Sequence, residues 1–204
     1  MQRRLFLIGM ASAGAPSLAA DAMPNADVWG LLRGGAYVIL LRHAATVPGI
    51  GDPAGFALAQ CATQRNLSQA GRADARKIGQ ALQSHGIPIA AVLSSRWCRC
   101  LDTARLAFGR AEPAPMLDSM FRDQAEASEE KLRQVRAYCA SLAPKAVGNT
   151  VMVTHDVNIR ALVGRSVGRS VGQGEMVVAA VEPGGALRVV AQLTPGPDGL
   201  SPRP

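Results

Sequence analysis

Tyr37-Val38-Ile39-Leu40-Leu41-Arg42-His43 is the stretch that decides the fold. Its apolar run follows Gly34-Gly35, shows no alternation and stops at two ionisable side chains. Such a run reads as a strand buried on both faces, the habit of a parallel sheet covered by helices. A second short apolar run, Thr150 to Thr154, also stops at a histidine, here His155 followed by Asp156. Between them lies Ile87 to Leu93, a strand-like segment ending in Ser94-Ser95.

Helical patterns separate these runs. Ser68 is placed to cap a helix whose stripe is Ala70, Ala73, Ile78, Ala81 and Leu82, closed by Gly86 and Pro88. Further helices are predicted from about Trp97 to Phe108, Glu126 to Leu142 (stopped by Pro144) and Val157 to Val163. A short strand is predicted over Pro113 to Leu117. Two more, Met176 to Val181 and Leu187 to Leu193, are joined through Pro183-Gly184-Gly185. Strands alternating with helices imply an α/β fold: a three-layer α/β/α sandwich with a mostly parallel central sheet. In such sheets ligands bind beyond the carboxyl ends of the strands, where Arg42, His43, Ser94 to Arg99, His155 and Asp156 all fall.

The chain has 204 residues, of which 48% are hydrophobic and 18% charged, so it supports one domain with a real core. Aromatic residues make up only 4% and the basic residues are scattered, which argues against a nucleic-acid partner. Residues 1–19 read as a signal peptide: Arg3 and Arg4, then small apolar residues, with Ser17 and Ala19 ahead of a cleavage point. The pair Arg3-Arg4 also suits a twin-arginine signal. The formal charge of +7 becomes +5 without that segment. The expected mature protein is periplasmic or secreted, without a stable membrane anchor. Residues 28–193 form its domain and 194–204, rich in Pro and Gly, a disordered tail. Export permits disulfides among Cys61, Cys98, Cys100 and Cys139. Cys98 and Cys100 lie about 200° apart around a helix, so Cys61 with either of them is favoured; the alternative is four reduced, buried thiols.

Of the three histidines, His85 sits in the last turn of a helix, where a structural role suffices. His43 and His155 instead close two apolar strands beside Arg42 and Asp156. Arg42-His43-Ala44, the run Ser94-Ser95-Arg96-Trp97-Cys98-Arg99 with Thr103-Ala104, Val153-Thr154-His155-Asp156, and Leu67-Ser68 with Gly71 together resemble the histidine phosphatase superfamily, the phosphoglycerate-mutase-like proteins. Ala44 stands where that family usually has glycine, and its characteristic mid-chain glutamate is missing. Asp156 stands where the acid-phosphatase-like branch has its proton donor.

The resemblance implies a metal-independent phosphomonoester hydrolase without cofactor, acting on a small phosphorylated substrate such as a sugar phosphate. His43 would be the nucleophile, Asp156 the acid and then the base, and His155 a stabiliser of the transferring group. Arg42 and Arg99 would grip non-bridging oxygens. The loop Thr46 to Asn66 and the segment Met116 to Ser128 should wall the pocket. Asp123, Glu126 and Glu129 are weaker donor candidates, and Arg96 is expected in a structural ion pair. For Arg99 the competing reading is a salt bridge to Asp102. The alternatives are a phosphoglycerate-type mutase or a non-catalytic phosphate-ligand binding module. Two G-x-S-x-G matches, Gly164 to Gly168 and Gly168 to Gly172, lack a later histidine and are set aside as nucleophile elbows.

Overall fold

The computed structural model describes residues 28–142, 147–168, 170–196 and 199–203. The expected signal peptide, residues 1–19, and Pro144 lie outside the described residues. The first element is a helix the sequence pattern did not single out, α1 (Val28–Gly34), which buries Val28 and Leu32. Then follow β1 (Tyr37–Arg42), α2 (Gln69–Ser84), β2 (Ile89–Ser94), α3 (Cys98–Phe108), β3 (Glu112–Pro113) and α4 (Ala125–Ser141). The chain continues with β4 (Asn149–Thr154), α5 (Asp156–Val163), β5 (Met176–Val181), β6 (Leu187–Gly196) and β7 (Gly199–Pro202).

One seven-stranded sheet runs in the order β3-β2-β4-β1-β5-β6-β7. β1 lies in its middle and is buried on both faces. Val38 and Leu40 pack with α4 and α5, while Ile39 and Leu41 pack with α1, α2 and α3. That is the three-layer α/β/α arrangement. The expectation of a mostly parallel sheet needs correction: β3, β2, β4 and β1 pair in parallel, whereas β5, β6 and β7 join antiparallel. For the β5–β6 pair the cause is local, since the turn through Pro183-Gly184-Gly185 is too short to cross the sheet and must fold β6 back on β5.

Two further expectations change. The predicted strand over Pro113 to Leu117 shrinks to Glu112–Pro113, followed by a 3-10 turn at Pro115–Leu117, because Pro115 has no N–H for a ladder. The segment expected as a disordered tail instead forms the end of β6 and β7. Leu200 is buried in the core, and a Cβ at Gly199 would come within 3.3 Å of the Ala81 Cβ on α2. An outermost strand tolerates proline, which explains why a proline-rich sequence orders there.

Ser68 caps α2 as predicted, its hydroxyl accepting from the Gly71 amide. Gly71 itself permits a close approach: a Cβ there would sit 1.8 Å from the Ala45 carbonyl oxygen. The α2 N-terminus is thereby pressed against the segment that leaves β1. The parallel register puts Arg42 opposite Thr154 and Ser94 opposite Val153. His43, Ser95 and His155 therefore leave the sheet at one edge.

Candidate active site

His43 is fixed by its own strand and by both neighbouring ones. Its amide donates to the Thr154 carbonyl on β4, and its carbonyl accepts from the Gly174 amide just before β5. The ring Nδ1 lies 2.9 Å from the Ala44 carbonyl oxygen. A carbonyl only accepts, so Nδ1 carries the proton and Nε2 keeps its lone pair. Burial pushes the imidazole pKa down to about 3. The Ala44 hydrogen bond works against that shift, and the charges of Arg99, Arg42 and Arg65 add to it. His43 is thus neutral and oriented, with the lone pair of Nε2 unprotonated.

Ala44, in the usual glycine position, has ordinary backbone angles and is fully buried beside Leu67 and Ala75. Its amide donates to the Thr103 hydroxyl, which donates in turn to the Arg99 carbonyl. The threonine of the α3 motif therefore ties the His43 loop to the helix that carries Arg99.

His155 stands with its ring 5.5 Å from that of His43 and 5.5 Å from the Trp97 ring. The Ser95 hydroxyl lies 3.0 Å from its Nε2. Burial, then the nearby His43 and Arg99, hold this imidazole well below its ordinary range, so it is neutral. Nε2 is thus engaged by Ser95, while Nδ1 has no hydrogen-bond partner among the described residues. Asp156 opens α5; one of its oxygens accepts from the Val171 amide at 2.7 Å and the other from Arg160 Nε at 3.1 Å.

The arginines divide by role. Arg96 pairs with the buried Asp118, as expected of a structural residue. Asp102 pairs with Arg72, not with Arg99. Arg99 is buried, and its Nη atoms donate to Asp52 at 2.7 and 3.3 Å. Arg42 donates to the Val171 carbonyl, and Arg65 to the Gly49 carbonyl. The Nε atoms of Arg42, Arg65 and Arg99 are all buried and have no acceptor among the described residues.

These groups line one cavity of about 480 Å³. Arg42, His43, Arg99, His155 and Asp156 meet there, walled as predicted by Gly49 to Asp52, Phe56 and Arg65 on one side and by Ser119, Phe121, Arg122 and Asp123 on the other. Asp123 reaches the cavity but pairs with Lys131. Glu126 and Glu129 do not line it. His85 is structural, bonded through Nδ1 to the Ala81 carbonyl and stacked on Trp29. Gly164 to Gly168 forms a 3-10 turn after α5, with no strand leading into its serine.

Sequence reading missed Asp52 and Arg65. The available signal was an arginine directly before the helix start at Leu67-Ser68, in a loop already expected to wall an anion site. The loop is pinned by a Cys61–Cys98 disulfide and by Gln64, whose side-chain oxygen accepts from the Cys98 amide. Cys100 and Cys139 remain buried thiols, pushed by burial to about 12 and about 11.

The sequence pattern of the histidine phosphatase superfamily (branch 1) matches residues 38–125. That span holds Arg42, His43, Arg65 and Arg99 and stops short of Asp156. Solved structures share the fold. The protein histidine phosphatase SixA, complexed with tungstate, superposes with a TM-score of 0.55 at 16% identity, over 76% of this chain and 95% of that one. A phosphoserine phosphatase from Entamoeba histolytica, in complex with 3-phosphoglyceric acid, gives 0.54 at 14% identity, over 76% and 95%. A mycobacterial glucosyl-3-phosphoglycerate phosphatase gives 0.50 at 16%, over 76% and 96%. At these identities the likeness is one of fold. No match to a curated protein sequence is found.

Proposed function

We propose that this chain, whose residues 38–125 match the pattern of the histidine phosphatase superfamily (branch 1), hydrolyses phosphomonoesters through a phosphohistidine at His43, without metal or cofactor. The observation that carries the reading is one cavity lined by three arginines, Arg42, Arg65 and Arg99, together with both neutral imidazoles. Three guanidiniums around one cavity fit a tetrahedral dianion, whose oxygens accept from several directions.

In the first step Nε2 of His43 attacks phosphorus and the bond from phosphorus to the ester oxygen breaks. Arg42, Arg65 and Arg99 hold the non-bridging oxygens, and Nδ1–H of His155 donates to one of them as charge builds. Asp156, protonated at that stage, gives its proton to the departing alkoxide. It then takes a proton from the water that attacks the phosphohistidine, so phosphate leaves and His43 is restored.

Steady-state assay with p-nitrophenyl phosphate in the presence of a chelator tests this reading. Turnover abolished by His43→Ala supports it. Phosphate binding without turnover would point to a binding module, and phosphoryl exchange between phosphoglycerates to a mutase. We further assign the protein to the periplasm or exterior, supported by the residue pattern of positions 1–19 and by the Cys61–Cys98 disulfide. Among the described residues no helix is long and apolar enough to cross a membrane.

A further inference from the structure

We propose that the substrate is a phosphomonoester whose alcohol carries a bulky apolar body, seated between Ile50 and Phe121 and against Phe56 and Trp97; this rests on the phosphatase reading above. A cavity of about 480 Å³ is in the range of whole small-molecule sites, so it takes much more than a phosphate. Burial grades across it. His43, Arg99 and His155 are at most 5% exposed, whereas Ile50 is 97% and Phe121 64% exposed. These two come from separate segments, one before α2 and one before α4, and both line the same cavity. Single exposed apolar side chains are ordinary, but two facing one anion site form a wall with a use. The Phe56 ring extends it, 5.9 Å from the Trp97 ring.

The carboxylates and the indole of the wall are already engaged. Asp52 accepts from Arg99, the Arg65 amide and the Trp97 indole, which uses the only Trp97 donor on the ring. Asp123 is held by Lys131, and Asp156 by Arg160 and the Val171 amide. A sugar would need free donors and acceptors for each hydroxyl it brings out of water, and it would break these pairs to find them. An apolar body needs none. Arg122 lies 6.0 Å from the Phe56 ring and has no carboxylate partner among the described residues, so a second anionic group on the substrate is the competing occupant.

Hexyl phosphate, methyl phosphate, glucose 6-phosphate and 3-phosphoglycerate leave as alcohols of comparable reactivity, so their kcat/KM values report the wall. The expected result is hexyl phosphate preferred over glucose 6-phosphate by about tenfold or more, mostly in KM. The paired exposed-residue variant Ile50→Ser/Phe121→Ser should lower the hexyl-to-methyl ratio by about tenfold. Preference for glucose 6-phosphate, an unmoved ratio, or a 3-phosphoglycerate preference lost in Arg122→Ala would overturn the proposal. If no ester is hydrolysed, the phosphatase reading fails instead. The wall is then read by thermal shift: hexylphosphonate must still stabilise the protein more than methylphosphonate, and equal shifts would overturn it.

Discussion

Asp52 holds Arg99 in a two-point ion pair, with Nη1 to Oδ1 at 2.7 Å, and both side chains are under 10% exposed. Burial alone would raise the Asp52 carboxyl, but hydrogen bonds from Arg99, the Arg65 amide and Trp97 outweigh it and hold Asp52 below the usual range. The loop carboxylate thus fixes the guanidinium where Arg99 lines the cavity. Asp52→Ala strands a buried cation, which costs roughly 3 kcal/mol of stability in the ligand-free protein. Inorganic phosphate then supplies the missing counter-charge. Thermal unfolding should show a lower midpoint for the variant and a larger upward shift with phosphate than in the parent. Equal phosphate shifts would mean that Asp52 does not tune Arg99.

Asp156 is assigned the proton donor, and leaving-group chemistry isolates that role. Asp156→Asn should lower kcat on an alkyl phosphate by about 10²–10⁴-fold. On p-nitrophenyl phosphate, whose phenolate leaves without a proton, the first step should be nearly unaffected. Equal losses on both esters in that first step, read as the pre-steady-state burst, would make Asp156 a binding residue there.

The two neutral imidazoles make stability depend on pH. His43 resists protonation down to about 3, and His155 is shifted the same way. In the unfolded chain each takes a proton near the ordinary 6.5. Between those values the unfolded state binds more protons, so stability is full above about pH 6.5 and falls as pH drops toward 3. Urea midpoints of the parent should decline across this window more steeply than those of His43→Gln. Parallel profiles would place His43 in a water-like setting.

The Cys61–Cys98 bond spans a sequence separation of 37 that includes Gln64 and Arg65, and it ties down the C-terminal end of the loop that carries Asp52. Reduction should cost about 2–4 kcal/mol. It should also raise KM, because the loop that orients Arg99 loses its tether beside that residue. Chemical denaturation with and without a reductant should differ for the parent and coincide for Cys61→Ser/Cys98→Ser. Activity indifferent to reduction would detach the loop from substrate binding.

What the chain discloses follows the range of the forces involved. β1, β4 and the cap at Ser68 were legible because apolar runs and caps act within a few residues. Arg42, His43, Arg99, His155 and Asp156 were legible because strand ends define where a doubly covered sheet binds its ligands. Asp52 and Arg65 were not, since their partners depend on how a loop of irregular sequence folds back over α3. β7 was hidden for a related reason. Its prolines read as disorder until Leu200 finds a place against the core.

The central claim is a covalent bond between phosphorus and His43. Rapid denaturation of the enzyme during turnover of a radiolabelled phosphomonoester, followed by peptide mapping, tests it directly. The predicted result is label on the peptide containing His43, stable in alkali, lost in acid and absent from His43→Ala. Label on any other residue, or full turnover by His43→Ala, would contradict it.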